Sequence, residues 1–302
     1  MADFETIYDA KNDLVRAHLH FAILVDDIDN ECPETLEDDT TGDLDLPVTA
    51  QSLGVIEKQA GVSVTHNMEQ TDVEGYGDAE PVRTIISKRV VEFQANFLET
   101  NRRVLELFWG TDFVEGEDFE VSERGGVTLK TPSKPKDIHY RAYLVTEDDV
   151  NGEELYAYYI MPRVKLVNVE TQESADDNAV SYNMTFRATK DRELGFAVLQ
   201  GWCGPGWLRL VDKTGFVAPV TAITATADET EIDISDAEDA QITVTGSNGL
   251  NYTPLAKFSV TTGPTIVKVS KTGLVEPLAA GSAVVTAKYA GKTSTVSFTV
   301  TA

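Results

Sequence analysis

Polar and apolar residues alternate along residues 89–97, and strictly so from Val91 onward. One set is apolar: Val91, Phe93, Ala95 and Phe97. The intervening set is polar: Glu92, Gln94 and Asn96. Successive side chains of a β-strand point to opposite faces, so this period of two predicts a strand, beginning near Thr84, with one apolar and one polar face.

The period changes immediately after this strand. Apolar residues now recur at spacings of three and four, at Val104, Leu107 and Phe108, and Gly110 follows where helices commonly end. The sequence therefore predicts a short helix directly after the strand, and we expect it to close over the strand's apolar face.

Further strands are predicted by alternation on both sides of this unit. They cover residues 61–65, 138–145, 155–169 and 181–190. Pro162 lies inside the third of these, which predicts an edge strand or a bent strand because proline cannot donate to a sheet ladder. Residues 69–80 are acidic and contain two glycines, which predicts a turn region. Strands thus dominate the chain.

Residues 25–47 form a strongly acidic stretch with two prolines and no lysine or arginine. Such a composition is typical of an exposed, mobile segment, and long loops in compact domains are often functional. We therefore predict an extended acidic arm here.

The composition of the chain changes at about residues 212–219. Arginine is absent from residue 210 onward, and threonine, valine, alanine and serine become common. Short Thr/Val-rich strands with glycine and asparagine turns predict a small β-sandwich, ending in a strand at residues 295–300. The predicted domains are residues 1–215 and 216–302.

The net charge of the chain narrows the range of partners that it is expected to bind. The chain has 302 residues with 50 acidic and 25 basic residues, a formal net charge of −25, and most of the acidic excess precedes residue 219. This balance disfavours binding to nucleic acid or to an anionic membrane. No apolar run approaches the roughly 20 residues needed to span a bilayer, and the N-terminus does not resemble a signal peptide, so we expect a protein made in the cytoplasm and without a membrane partner.

Candidate chemistry is sparse. His18 and His20 share a strand face but have no neighbouring cluster, and the acidic arm lacks the spacing of a compact calcium loop. Residues 201–207 (GWCGPGW) contain a single cysteine, which excludes dithiol chemistry within them and favours a kinked loop with two aromatic anchors. No nucleotide loop or catalytic motif is present. We therefore expect no enzymatic activity, no metal site and no cofactor.

The C-terminal segment resembles the bacterial Ig-like domain group 2. The resemblance rests on residues 266–269 (IVKV), residues 272–275 (TGLV), residues 280–287 (AGSAVVTA), Gly291 and the strand at residues 295–300. It implies an Ig-like β-sandwich for this domain.

The preceding domain is similar to a major tail tube protein of long-tailed, non-contractile bacteriophages. The resemblance covers residues 45–215 and rests on residues 53–55 (LGV), 61–62 (GV), 81–84 (PVRT), 97–101 (FLETN) and 105–110 (LELFWG). It implies a mainly β fold: a tail-tube β-barrel or sandwich with one flanking α-helix, followed here by the Ig-like domain. In this family six copies form a ring, and rings stack head to tail around a β-lined lumen.

The resemblance implies a structural virion protein of a siphovirus, assembled in the host cytoplasm into hexameric rings of the viral tail tube. Its partners would be further copies of itself, the tape measure protein in the lumen, and the tail terminator and distal tail or baseplate proteins. DNA would pass through without specific binding during genome ejection. The Ig-like domain would project outward and make weak contact with host-surface glycans.

Two sets of residues are predicted to act in such an assembly. The residues expected to face the lumen are Glu92, Gln94, Asn96, Ser63, Thr65 and Asn67. The residues expected to contact neighbouring subunits are Asp26, Asp27, Glu37, Asp38, Asp39, Tyr76, Trp202 and Trp207. An acidic, polar lumen would repel phosphate, whereas lysine and arginine contacts would retain DNA. The alternative function is a capsid decoration protein or a carbohydrate-binding surface adhesin that uses the Ig-like domain.

Overall fold

A computed structural model describes residues 3–4, 8–131, 133, 136–172, 179–236 and 239–302. The fold is mainly β, with several antiparallel sheets, and one helix in the described part reaches seven residues. The chain forms two compact units. The large unit comprises His18–Asp148 and Tyr156–Cys203, and the C-terminal unit comprises Met1–Ala17, Asp149–Leu155 and Gly204–Ala302. The predicted domains, residues 1–215 and 216–302, stay a prediction.

The large unit is built on an eight-stranded sheet in the order β2-β1-β7-β8-β9-β4-β3, with β10 paired to β8. The strands and the helix α1 have these bounds: β1 His20–Asp27, β2 Gln51–Ser52, β3 Val62–Glu74, β4 Pro81–Phe97, α1 Arg102–Trp109, β5 Phe119–Val121, β6 Val127–Leu129, β7 Tyr140–Val150, β8 Glu153–Val169, β9 Tyr182–Ala188 and β10 Leu199–Cys203. Strands β5 and β6 form a separate two-stranded sheet.

The predicted two-faced strand and its helix are confirmed. The four predicted apolar residues of β4 are 0–8% exposed and share one core with Val104 and Leu107 of α1. They are Val91, Phe93, Ala95 and Phe97. Asn101 starts the helix by accepting a hydrogen bond from Val104 N at 2.9 Å through its side chain. Gly110 ends it at φ 61°, a conformation that glycine adopts without penalty.

Of the two alternatives predicted around Pro162, the edge strand is wrong, because β8 lies inside the sheet between β7 and β9, and the bent strand stays a prediction. On one side, residues 156–160 pair with β10, whereas residues 164–169 pair with β9. Pro162 lies between these two stretches, where β8 changes partner. The missing N–H of proline is therefore accommodated without an edge position.

The prediction of a turn region at residues 69–80 is confirmed for residues 75–80 and wrong for residues 69–74, which are strand. β3 continues to Glu74 and β4 begins at Pro81, so the two strands pair from Val62↔Ala95 to Glu74↔Pro81. Their inner ends belong to the sheet, but β4 pairs with β9 only from Val91 onward. Residues 66–90 therefore form a two-stranded extension, which we call the extended hairpin.

The acidic arm is only partly the exposed segment that was predicted. Leu36 is fully buried and Cys32 is 8% exposed, and both pack with Tyr143 of β7 and Tyr158 of β8 in a second core cluster. This cluster lies on the face of β7 opposite to that of Tyr140, Ala142 and Leu144, which belong to the main core. The few apolar residues between the carboxylates therefore fix the arm against one half of the second sheet face.

The C-terminal unit contains two four-stranded sheets, β11-β13-β16-β15 and β12-β18-β17-β14. The strands and the helices α2 and α3 have these bounds: α2 Pro205–Leu208, α3 Val211–Thr214, β11 Ile223–Ala227, β12 Glu231–Asp233, β13 Ala240–Gly246, β14 Lys257–Thr262, β15 Val267–Val269, β16 Leu274–Pro277, β17 Gly281–Tyr289 and β18 Lys292–Thr301. Residues from both sheets form one hydrophobic core. The predicted terminal strand is confirmed, since Val296, Phe298 and Val300 of β18 are buried.

Candidate functional site

The six residues predicted to face a lumen lie together on one face of β3 and β4. In the register of the pair, Ser63 lies opposite Gln94 and Thr65 opposite Glu92. Directly opposed residues of antiparallel strands point to the same side, and Asn67 and Asn96 follow at steps of two. This polar face is the side of β4 that α1 does not cover.

The polar face extends onto β9 and β8. Residues Asn183, Thr185 and Arg187 of β9 lie opposite Asn96, Gln94 and Glu92. Lys165 of β8 in turn lies opposite Arg187. We call this set, from Ser63 on β3 to Lys165 on β8, the polar half-face. Its residues are exposed on β3 and mostly half-buried on β4, β9 and β8, and they belong to neither core cluster of the large unit, whereas the arm covers the other half of the same sheet face.

Charges on the polar half-face are paired. Arg187 Nε donates to Glu92 Oε1 at 2.7 Å, and Lys165 Nζ lies 2.5 Å from Asp137 Oδ1. Lysine and arginine would otherwise repel each other across β8 and β9, so each carboxylate offsets one cation. The predicted acidic face is therefore, along this row, close to neutral.

Amide side chains complete the polar half-face. Gln94 Nε2 donates to Glu170 Oε1 at 2.8 Å and to Asn183 Oδ1 at 2.9 Å. Asn96 Nδ2 donates to Glu57 Oε2. These bonds fix the two amide side chains on the half-face, and neither contributes a cation that could hold phosphate.

The extended hairpin exposes an unusual number of large apolar side chains. Those exposed by 42–63% are Met68, Val73, Val82, Ile85 and Ile86, and Tyr76 in the connecting turn is fully exposed. Two-stranded hairpins are at best marginally stable in water without a third strand or a packed face. The extended hairpin is therefore a candidate interaction surface.

The two aspartates at the end of β1 have different environments. Asp26 is 2% exposed, and its carboxylate accepts hydrogen bonds from Asn30 Nδ2 and Thr49 Oγ1, both at 2.5 Å. Asp26 therefore fixes the arm within its own chain. Asp27 is exposed and lies 2.5 Å from Arg103 Nη2 of α1. Contact with a neighbouring subunit stays a prediction for both.

Residues 37–43 form the acidic tip of the arm, closed by the bridge Glu37↔Leu44. Asp38 Oδ1 accepts hydrogen bonds from the backbone N–H groups of Thr41 and Thr40, which lower the pKa of its carboxyl. Partial burial and the nearby charge of Asp39 raise the pKa of Glu37. Burial, with Glu37 and Asp43 nearby, raises the pKa of Cys203 to about 12, so this thiol is inert at neutral pH.

The two tryptophans lie in different elements. Trp202 is half-buried on β10, opposite Ala157 of β8. The predicted kinked loop at residues 201–207 is therefore wrong for most of its length, because only Gly204 lies between β10 and α2. Trp207 lies in α2, with its ring centroid 6.5 Å from that of Phe216. Their predicted role in subunit contacts stays a prediction.

Sequence reasoning missed the outer members of the polar half-face. The alternation at residues 181–190 already placed Asn183, Thr185 and Arg187 on one face, which was the available signal. It also missed the apolar character of the extended hairpin, because the acidic residues around its tip suggested a loop.

Other kinds of site are not found in the described part of the chain. No group of three or more histidine, cysteine or carboxylate side chains there could hold a metal ion. No described helix is both long and apolar enough to cross a membrane. Comparison with models of known protein families gives no match, and comparison with curated proteins gives none either.

Proposed function

We propose that this chain is a structural subunit of a bacteriophage tail tube, which assembles into stacked hexameric rings around a channel for DNA. The observation that supports the proposal most strongly is that one sheet has two different surfaces suited to contacts outside the chain. Its polar half-face belongs to neither hydrophobic core of the large unit and is exposed along β3, and its extended hairpin exposes large apolar side chains. A tube whose subunits bury the extended hairpin against one another, and whose polar half-face borders a water-filled lumen, would account for both surfaces.

Ring formation also accounts for the open edge of the sheet. β3 is a 13-residue strand at one end of the strand order, and nearly all of it is exposed. Long exposed edge strands invite uncontrolled pairing, and merging the sheets of neighbouring subunits into a closed ring removes them. Head-to-tail contacts made by the hairpin would then propagate rings into a tube.

In this assembly the polar half-face lines the channel. The tape measure protein would occupy the lumen first, and DNA would pass later without specific binding. The tail terminator and the distal tail or baseplate proteins would close the two ends. The C-terminal unit, as an Ig-like sandwich, would project outward, where it could contact host-surface glycans weakly.

Negative-stain electron microscopy and sedimentation of the purified chain test this function. Rings or tubes of constant diameter are expected. Stable monomers or trimers at high concentration would instead favour a capsid decoration protein or an adhesin.

Glu92→Lys is expected to slow DNA release from assembled particles. The substitution removes the partner of Arg187 and adds a cation beside Arg187 and Lys165. Each cation that contacts phosphate adds salt-dependent affinity for DNA, so we expect release slower by roughly tenfold at low salt, with a smaller difference at high salt. Time-resolved ejection assays measure this rate.

Two further variants separate charge from structural damage. Ser63→Lys adds a cation to the same face opposite Gln94, not opposite Glu92, so it leaves the Glu92–Arg187 pair in place and should slow release less. Glu231→Lys makes the same charge change at an exposed position of β12 and should have no effect. Ejection kinetics unchanged by Glu92→Lys would rule out a luminal position for this face.

A further inference from the structure

The C-terminal unit contains an open cleft of about 650 Å³. Five basic side chains line it, although the whole chain has only 25: Arg16, Arg209, Lys213, Lys257 and Lys288. Three carboxylates share it, those of Asp13, Asp149 and Asp212. Such a cluster of cations is unexpected in a chain whose net charge is −25.

Much of this charge is compensated inside the unit. Lys213 Nζ donates to Asp13 Oδ2 at 2.6 Å, and this contact lowers the pKa of Asp13. Arg209 Nη2 donates to Glu153 Oε1 at 3.1 Å. Asp149 Oδ1 accepts from the backbone N–H of Gly152 at 3.0 Å.

The charges of Lys257 and Lys288 are not compensated in this way. They lie directly opposite each other on β14 and β17, and both are exposed. Within the residues that the structure describes, neither side chain has an ion-pair partner. Like charges at directly opposed positions of an antiparallel pair repel each other and destabilise it. A carboxylate or phosphate between them would turn this repulsion into attraction.

The acidic tip of the arm carries the complementary charge. Its residues 37–43 include Glu37, Asp38, Asp39 and Asp43, and in the described structure none of the four forms an ion pair with a cation. The raised pKa of Glu37 records, in part, the repulsion from Asp39. The tip is also a defined loop, since Asp38 N bonds to Asp43 O and Gly42 N to Asp38 O, both at 2.9 Å.

We propose that the cleft of the C-terminal unit, through Lys257 and Lys288, binds the acidic tip of a second copy of this chain. The inference rests on the proposed self-assembly and adds one contact to it. Both surfaces carry a charge unmet within the described chain, and their signs are opposite. Complementary charge accelerates association and fixes which surfaces meet, so this contact would select the partner's register during assembly.

Zero-length cross-linking with a carbodiimide tests this contact, because the reagent joins only an amine and a carboxylate that touch. Chains labelled with ¹⁵N and unlabelled chains are mixed before assembly, and linked peptides are identified by mass spectrometry. The expected result is links between residue 257 or 288 of one chain and residues 37–43 of the other, with mixed isotopes. Links within single chains only, or links to other segments, would overturn the proposal.

Charge reversal supplies the second arm of the test. Lys257→Glu with Lys288→Glu should lower the yield of mixed-isotope links to the tip, and the initial rate of assembly, by about tenfold or more. Adding Glu37→Lys and Asp39→Lys to that variant should restore the rate. Lys271→Glu with Lys292→Glu reverses two exposed lysines outside the cleft and should leave the rate within about twofold.

The outcomes distinguish this contact from the assembly itself. Tubes that form without links to the tip would overturn the cleft contact and leave the tail tube function standing. Links to the tip in closed dimers that form no tubes would support the cleft contact and contradict the tail tube function. Protection of both lysines by inorganic phosphate, with no link to the tip, would identify a small-anion site and overturn the proposal.

Discussion

A chain carrying Met68→Asp and Ile86→Asp is expected to remain monomeric under conditions in which the unchanged chain assembles. Both side chains lie on the extended hairpin and are 50% and 59% exposed. Substitutions at such positions usually change the free energy of unfolding by less than about 0.5 kcal/mol each, so the subunit should still fold. An unpaired carboxylate buried in a subunit interface costs several times more, so assembly should be lost.

Sedimentation velocity measures the oligomeric state, and circular dichroism checks the fold. The matched control is Val121→Asp with Leu278→Asp, since these residues are 54% and 53% exposed but lie outside the hairpin. The control should assemble normally. Normal assembly of the hairpin variant would show that the exposed apolar residues of the hairpin are not an interface.

Phe93→Ala is expected to destabilise the large unit by about 3–5 kcal/mol. Phe93 is fully buried on β4, and its ring stacks on Phe186 of β9 with centroids 4.9 Å apart. Removing it leaves a cavity between the sheet and α1 and ends the stacking contact. Denaturant unfolding, followed by probes of each unit, measures the loss.

Phe298→Ala is the matched control, because Phe298 is 1% exposed in the core of the C-terminal unit. Each substitution should lower mainly the transition of its own unit, since the two residues belong to separate cores. A loss below about 1 kcal/mol for Phe93→Ala would contradict the packing described here.

The parts of the fold that follow local periodicity could be predicted from the sequence. The two faces of β4, the helix α1 with its ending at Gly110, the alternation of β9 and the terminal strand β18 all depend on spacing within one segment. Each of these elements buries its apolar side as expected. The polar half-face could be predicted in part for the same reason.

The remaining features depend on which strands pair, and local patterns do not contain that information. Pro162 suggested an edge strand because proline cannot donate to a sheet ladder. Its actual position, between the stretches of β8 that pair with β10 and with β9, depends on where those two distant strands pair. The arm was expected to be mobile because its many carboxylates outweighed Cys32 and Leu36, whose partners are distant in sequence.

Charge compensation was missed for the same reason. The pairing of Glu92 with Arg187 and the opposition of Lys257 to Lys288 both require the register between strands. The position of the candidate site on β4 could therefore be predicted from the sequence. The charge of the site could not, because it depends on pairs between different strands.

The most direct test of the proposed function is a cryo-electron microscopy reconstruction of the assembled chain. We expect a hollow tube of stacked six-fold rings whose inner wall is the polar half-face, with Glu92, Gln94 and Asn96 toward the axis. A reconstruction with this face on the outer surface or buried between subunits, or a chain that forms no closed ring, would contradict the account.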